Sequence, residues 1–469
     1  MTKSFYFNII ENLMKTITLS KILVLLAALA SFSGTARGQH RITEVKYPSV
    51  VGHTIVKEYT FPATVSYVET ATGHYFASAD ASMSVLNAQI DPNIHVRDFV
   101  IFEDYVYFCG FDNSQQATVG VWGWFRIPDL VTSSMSYYVY SGFHCVQRYA
   151  DTLKGIVAFR DHMNTLHVAV CGSVSDGSAS NQSCMLDLTG VAGSPNWNCT
   201  MGVTPITPGY YEKISRICLT DNLVVTVGTV PMGCGIVNHR VHRRNDMFLS
   251  GGPQDSSIYF PGDVWPRPWS HAICHVQGDT VAVAVKHDKN TIVPNEGVMM
   301  YVFDASLVYV GMNAAHAIEL DLGQYTNTSD IFDIRYSRPH REVTLLMSGG
   351  FLMGTGSTVY EWPTAPIPPA VTPTFLSDRR MISLDNYNTQ QHFLTMGTDN
   401  SDPSKVNYFI QSLQSGAVCA TKLLPLYGGL DYAVKIDKIP YTVCTSVLTC
   451  EKREPVKYLK LDQETICSD

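Results

Sequence analysis

The feature of this sequence that most restricts its fold is a strand pattern repeated along the chain. Each copy has an apolar strand, a tight polar turn, a second apolar strand that often ends in glycine, a polar loop and a third strand with aromatic residues. In the clearest copy, Ile94 to Ile127, the strand HVRDFVIF turns at Glu103-Asp104 into YVYFCG and returns as GVWGWFRI. A repeat makes a fold from similar neighbouring units, so every later interpretation depends on it.

The length of the repeat follows from the residues that end the second strands. These markers are spaced by 62, 56, 58, 63 and 48 residues, about 57 on average, and they are Gly110, Gly172, Gly228, Lys286, Gly349 and Gly397. Units of three or four short strands at this spacing are typical of propeller blades rather than of solenoid coils, which repeat every 20 to 50 residues or so. We therefore predict an all-β fold, a β-propeller of seven blades, with six or eight blades as alternatives.

Strand-like sequence remains at both ends of the repeated region, at Tyr67 to Ile90 and at Ala433 to Thr449. A closing blade made from these two segments would remove the open sheet edges of a linear stack. The sequence thus predicts that N- and C-terminal strands pair and that residues 39–469 form one propeller domain.

The first residues have the pattern of a secretory signal peptide. Nine apolar residues, Ile22 to Ala30, follow Lys15 and Lys21 and precede a run of small residues. We assign residues 1–38 to this signal, with Met14 as a possible start. The apolar run is shorter than the roughly 20 residues that span a bilayer, and no other stretch comes close. We expect an exported protein without a membrane span, located in the periplasm, on the cell surface or in the medium.

The charge of the chain argues against a nucleic-acid partner. The net charge is −8, and removal of residues 1–38 takes away four cations and one anion, which leaves 29 cations against 40 anions, or −11. An acidic surface repels phosphate backbones.

All 12 cysteines follow residue 38, and an even number in an exported chain favours disulfides over a metal site. Cys171 and Cys184 flank a polar loop between two apolar runs, so antiparallel pairing would bring them together. Two further pairs have similar local spacing, Cys218 with Cys234 and Cys444 with Cys450. Cys109 and Cys274 either form bridges or are small buried apolar residues on strands.

The densest basic cluster of the chain is His239, His242, Arg243 and Arg244. It is either a solvated outer strand or a site for an anion such as a sulfated or uronic sugar. A metal site is a weaker alternative, because residues three apart on a strand face opposite sides of the sheet.

Trp265 and Trp269 lie in a proline-limited loop. They are either a platform for sugar rings or a partner protein, or a plug packed between blades.

The sequence has no catalytic motif that identifies a reaction. Asp98, Asp187, Asp304 and Asp333 recur in or beside the repeated strands, and their recurrence favours structural roles in turns and blade contacts. GxSxG, HExxH and phosphate-loop motifs are absent, and we predict no cofactor and no metal. The catalytic residues, if there are any, remain unassigned.

With its YVYFCG and AVCG strand ends, the repeat resembles the β-propeller repeat superfamily, and the chain is similar to uncharacterised exported proteins of gut Bacteroidales. The resemblance covers most of residues 60–450 and implies architecture only. Tryptophan-aspartate strand ends and sialidase-type aspartate boxes are absent, and of the double glycines in the chain only Gly349-Gly350 convincingly resembles that of a kelch repeat. We expect a binding or scaffold protein that holds a glycan or a protein partner on propeller-face loops. The alternative is a carbohydrate-active enzyme, a glycoside hydrolase or polysaccharide lyase, with its site at the mouth of the central channel.

Overall fold

A computed structural model of the chain consists almost entirely of β-strands. It describes residues 40–46, 54–59, 64–79, 85–114, 118–127, 136–141, 149–175, 181–202, 213–230, 236–243, 256–259, 271–287, 297–306, 318–321, 331–337, 342–347, 351–354, 372–375, 379–386, 392–399, 402–412 and 418–438. The described strands after His40 belong to one compact unit, Arg41–Asp469. No helix among the described residues is long and apolar enough to cross a membrane.

The described residues form thirty strands. In the first half of the chain these are β1 (His40–Lys46), β2 (Thr54–Tyr59), β3 (Thr64–Thr70), β4 (Gly73–Ala79), β5 (Val85–Ile90), β6 (Ile94–Phe102), β7 (Tyr105–Asp112), β8 (Val119–Arg126), β9 (Tyr138–Ser141), β10 (Tyr149–Arg160), β11 (Leu166–Ser175), β12 (Asn181–Gly190), β13 (Trp197–Gly202), β14 (Lys213–Leu219) and β15 (Leu223–Val230). In the second half they are β16 (Ile236–Arg243), β17 (Ser256–Tyr259), β18 (His271–Gln277), β19 (Thr280–His287), β20 (Gly297–Asp304), β21 (Ile318–Asp321), β22 (Ile331–Ser337), β23 (Glu342–Met347), β24 (Phe351–Gly354), β25 (Thr372–Phe375), β26 (Arg379–Asn386), β27 (His392–Asp399), β28 (Asp402–Ser412), β29 (Val418–Tyr427) and β30 (Tyr432–Lys438).

Twenty-eight of these strands form seven four-stranded antiparallel sheets, and β1 and β2 form a separate pair. Six sheets use four consecutive strands, beginning at β6, β10, β14, β18, β22 and β26. The seventh has the order β30-β3-β4-β5, so we call it the closing blade. We number the other blades two to seven along the chain. The prediction of seven blades is confirmed.

The closing blade joins the two ends of the repeated region. Thr64 of β3 pairs with Lys438 of β30, and Glu69 pairs with Tyr432. The first strand of every sheet also contacts the first strand of the next, in the order β6, β10, β14, β18, β22, β26, β30 and back to β6. The first strands therefore form a closed ring around a channel, as the sequence predicted.

The second strands are buried on both faces wherever their side chains are described. In β19 the four consecutive residues Val281, Ala282, Val283 and Ala284 are all fully buried. Such a strand cannot alternate between core and solvent, because the neighbouring blades cover both sides of its sheet. The apolar runs of the sequence are thus explained by stacking of blades.

Most of the marker glycines are explained by a bulge in the first strand of the blade. Gly110 pairs with Val96, next to a bulge at Arg97, and a Cβ on Gly110 would lie 1.9 Å from the carbonyl oxygen of His95. Gly172 is similarly close to the backbone of β10, and Gly228 and Gly397 also pair beside bulges. No side chain fits where the bulged backbone approaches. Lys286 pairs with β20 only, and Gly349 lies outside the described residues.

Two of the predicted disulfides are wrong. Cys171 pairs with Met185, whereas Cys184 pairs with Gly172, so their positions are one residue apart in the register. Since alternate residues of a strand face opposite sides of the sheet, this register does not bring the two cysteines together. Cys171 and Cys218 are buried thiols, and so are Cys109 and Cys274. Cys199, which was not among the predicted pairs, is disulfide-bonded. The other predicted cysteines that lie outside the described residues are Cys234, Cys444 and Cys450.

Candidate functional site

A cavity of about 560 Å³ lies in the central channel. Residues of β6, β10, β14, β18, β22 and β30 line it, so six of the seven blades contribute. Its described lining contains eight aspartate, histidine, lysine and arginine side chains, namely Arg97, Asp98, Arg216, His275, Asp333, Arg335, Asp431 and Lys435. We call these residues the channel cluster.

The bulges of the first strands place part of this cluster. Asp98, Arg216 and Asp333 each follow a bulge directly, in β6, β14 and β22. A bulge adds one residue to a strand and changes the direction of the side chains beyond it. Three blades thus carry a charged residue at the same position of the repeat, and all three line the cavity.

The carboxylate of Asp98 connects three blades. Its Oδ1 atom accepts a hydrogen bond from the Phe99 amide at 2.9 Å and lies 3.2 Å from Nζ of Lys435 in the closing blade. Its Oδ2 atom accepts a hydrogen bond from the Ile156 amide of blade three at 3.1 Å. The interpretation of Asp98 as a residue of blade contacts agrees with this geometry.

Asp333 is similarly buried, with 16% of its side chain exposed against 14% for Asp98. Burial raises the pKa of its carboxyl, while the charge of Arg335 and the hydrogen bond from the Ile334 amide act in the opposite direction. The Ile334 amide is 2.9 Å from Oδ1, and Nε of Arg335 is 3.3 Å from Oδ2. The carboxyl therefore holds a proton more readily than an exposed aspartate does.

Two cations of the cavity have no carboxylate partner among the described residues. The guanidinium of Arg97 lies over aromatic rings, 4.9 Å from the centre of Phe111 and 4.6 Å from that of Tyr432. Arg216 forms no ion pair within the described part of the chain. Contacts with aromatic faces leave the charge of Arg97 available to a ligand.

The channel cluster has four permanent cations and three carboxylates, which gives a formal excess of one positive charge. The chain as a whole has a net charge of −8. Asp98 and Asp333 both accept hydrogen bonds from backbone amides, so part of their negative charge is already compensated. The cavity therefore fits the binding of an anion better than that of a cation.

The predicted loop site is described only in part. His239, His242 and Arg243 lie in β16, where they pair with Val227, Val224 and Leu223. The segment is a strand, as expected, but it is the third strand of its sheet and β17 is the outermost. Arg244, Trp265 and Trp269 lie outside the described residues, so an anion or sugar site at these positions stays a prediction.

The two remaining recurrent aspartates have the structural roles expected of them. Asp304 accepts hydrogen bonds from the amide and hydroxyl of Ser306 at the end of β20. Asp187 is buried and lies 3.0 Å from Nδ1 of His167, whose Nε2 is 3.4 Å from Asp161. The sequence did not indicate Arg97, Arg216 or Lys435. For Arg97 and Arg216 the sequence held one signal, the glycines Gly110 and Gly228 that pair beside the bulges, whereas no glycine pairs with the strand of Lys435.

Comparison with known proteins shows the fold. No protein-family model and no curated protein matches the sequence.

Among solved structures, the Pseudomonas aeruginosa periplasmic gluconolactonase PpgL is similar over 81% of this chain and 100% of the PpgL chain, at 11% identity and a TM-score of 0.50. Sqt1 of Chaetomium thermophilum matches 73% of this chain and 74% of its own, at 14% identity and a TM-score of 0.42. The Dos1 propeller matches 80% and 86%, at 9% identity and a TM-score of 0.43. The chain is thus similar to β-propeller proteins and has their fold.

Proposed function

We propose that this chain is an exported binding protein that holds an anionic ligand in the central channel. The ligand class is a sugar that carries a carboxylate or sulfate group. A cavity of about 560 Å³ has the volume of a small-molecule site, which is roughly 300 to 1,000 Å³. A protein partner that inserts an acidic side chain into the channel would use the same charges.

One observation carries this proposal: Arg97 and Arg216 line the cavity, and no carboxylate of the described residues pairs with either. A guanidinium presents a planar set of donors that matches a carboxylate or a sulfate. A charged hydrogen bond contributes about 1.5 to 3 kcal/mol, which corresponds to roughly a tenfold to 150-fold change in affinity.

The test is a binding assay with uronic acids and sulfated sugars, each paired with its neutral counterpart. Isothermal titration calorimetry on the mature protein should show binding of the charged member only. Arg216→Gln should weaken that binding at least tenfold. Arg126→Gln is the matched control, because Arg126 is exposed at the end of β8 and does not line the cavity.

The loop residues provide the competing location. If binding is lost in the Arg243→Ala, Arg244→Ala double variant and unchanged in Arg216→Gln, the ligand lies on the loop face and the channel proposal is wrong.

A second candidate is a carbohydrate-active enzyme with its site in the same channel. It is favoured by Asp333, whose raised pKa suits a general acid, and by the presence of a second carboxylate, Asp98, in the cavity lining. A structure of the same fold is described as a periplasmic gluconolactonase. Hydrolysis of sugar lactones and polysaccharides can be followed by acid release or by reducing ends. Turnover that is lost in Asp333→Asn would support this candidate.

A further inference from the structure

Three side chains that can bind a metal meet at the junction of the closing blade and blade two. They are Glu69 at the end of β3, His74 at the start of β4 and His95 near the start of β6. One ligand atom of each lies within 4.8 Å of the other two. Two imidazoles and a carboxylate are ligands that zinc and similar divalent ions prefer. We call these three residues the junction cluster.

His74 is oriented as a metal-binding histidine is. Its Nδ1 atom lies 2.8 Å from the carbonyl oxygen of Ile94, which fixes the proton on Nδ1 and leaves a lone pair on Nε2. The side chain is buried, with 8% of its surface exposed, and its Nε2 has no hydrogen-bond partner among the described residues. A ring tied by one nitrogen to a backbone carbonyl is the usual outer support of a ligating imidazole.

Glu69 and His95 have supporting contacts as well. Nδ1 of His95 lies 3.1 Å from Oε1 of Glu69, and the Tyr67 hydroxyl donates to the same oxygen at 2.9 Å. The side-chain amide of Asn113 is 3.0 Å from Nε2 of His95. Both side chains keep a small exposed fraction, 14% for Glu69 and 20% for His95, so an ion can enter from solvent.

We propose that the junction cluster binds one divalent transition-metal ion of the zinc class. The ion would replace the proton between Nδ1 of His95 and Oε1 of Glu69 and would take Nε2 of His74 as its third ligand. The displaced proton moves to Nε2 of His95, so the ring stays neutral, and the Asn113 side chain turns so that its Oδ1 atom accepts a hydrogen bond from that nitrogen. Bond lengths of about 2.0 to 2.2 Å place tetrahedral ligand atoms about 3.4 Å apart, so the His74 ligand atom would have to approach by roughly 1 Å, whereas Nδ1 of His95 and Oε1 of Glu69 would keep nearly their present separation of 3.1 Å. Water would occupy the fourth position.

The bound ion would link two blades. Glu69 and His74 belong to the closing blade, whereas His95 belongs to blade two. An ion that binds the folded ring and not the unfolded chain raises stability with its concentration. None of these three residues lines the channel cavity, so the test of the metal site does not depend on a channel ligand.

The test uses mature protein without a polyhistidine tag, cleared of metal with a chelator. Cobalt(II) is added first, because its visible absorption distinguishes four-coordinate nitrogen and oxygen sites, and zinc is then used to displace it. The wild type should bind one equivalent more than Glu69→Gln and His95→Ala, and its melting temperature should rise with zinc. Glu103→Gln and His162→Ala are the matched controls and should behave as the wild type does.

Two results would overturn the proposal. One is an equal zinc stoichiometry and affinity in the wild type, Glu69→Gln and His95→Ala. The other is a wild-type cobalt complex without the absorption of a four-coordinate site. If circular dichroism shows that His95→Ala is unfolded, Asn113→Ala decides instead, because it removes only an exposed supporting amide. It should bind zinc 10-fold to 100-fold more weakly, and an unchanged affinity would contradict the site.

Discussion

The ammonium group of Lys435 lies 3.2 Å from Oδ1 of Asp98, across the junction between the closing blade and blade two. Lys435 belongs to the last described strand of the chain and Asp98 to a strand more than 330 residues earlier. Both side chains are mostly buried, and Asp98 also accepts backbone amides on two blades. This carboxylate is therefore expected to hold the ring together.

Asp98→Ala should lower the free energy of unfolding by about 3 kcal/mol. The change leaves the Ile156 amide and the Lys435 ammonium without their partner in a mostly buried place. Urea denaturation followed by circular dichroism measures the loss. Asp112→Ala is the control, because among the described residues the Asp112 side chain accepts a hydrogen bond only from the exposed Ser114 amide, and this change should cost less than about 1 kcal/mol. If Asp98→Ala and Asp112→Ala lowered the free energy of unfolding equally, the contacts of Asp98 between blades would not stabilise the ring.

Gly110→Ala should destabilise the protein by about 3 kcal/mol or more, because the new Cβ would meet the backbone of the bulge. Gly278→Ala separates this steric effect from a conformational one. Gly278 has a φ of +56°, and a methyl group added there would have no atom within 4 Å, so its replacement should cost only about 1 to 2 kcal/mol. Thermal melts of both variants against the wild type measure the difference. A Gly110→Ala variant as stable as the wild type would refute the role assigned to the bulge.

The stability contributed by His167 should depend on pH. Burial lowers the pKa of His167, but hydrogen bonds and charges from Asp187 and Asp161 outweigh burial and raise it above the usual value. A raised pKa in the folded state means that this stabilisation is complete below the unfolded value of about 6.5 and is lost as pH rises through the folded value. The difference in unfolding free energy between the wild type and His167→Gln should therefore shrink from pH 6 to pH 9. Asp187→Asn should remove most of this pH dependence. A stability difference between the wild type and His167→Gln that stays constant from pH 6 to pH 9 would contradict the prediction.

The buried thiols should resist alkylation in the folded protein. Burial raises the pKa of Cys218 to about 12, and it also raises the pKa of Cys109 and Cys274 well above the usual value of a thiol. At pH 8 the reactive thiolate of Cys218 is then on the order of one part in 10⁴. Mass spectrometry after iodoacetamide treatment should find these cysteines unlabelled in native protein and labelled in denaturant. Rapid labelling of Cys218 in the native state would show that the blades open easily.

The sequence was sufficient for the fold because the signals of a propeller are local. Each blade repeats a strand, a turn and a buried second strand such as β19, and these patterns lie within about 40 residues. The ring closure was also accessible, because strand-like sequence was left over at both ends.

The candidate sites were harder to predict because they depend on register and on contacts between blades. A single residue of offset separates Cys171 from Cys184, and neither the loop length nor the apolar pattern reveals it. The junction cluster combines two blades, so His95 and His74 carry no recognisable spacing in the sequence. The channel cluster had one usable signal, the glycines Gly110 and Gly228 beside the bulges of β6 and β14, whereas Met347 pairs beside the bulge that precedes Asp333.

The pairing of β3 with β30 also determines when this protein can finish folding. Glu69 and Tyr432 are neighbours in the closing blade although more than 360 residues separate them in the chain. Contacts between such distant positions form slowly, because a very long loop must close first. During synthesis the edge of β3 would remain unpaired until β30 is made, and an unpaired strand edge is the state in which β-proteins most readily associate with one another. We expect the yield of this protein in cells to be limited by that interval rather than by the stability of the finished ring.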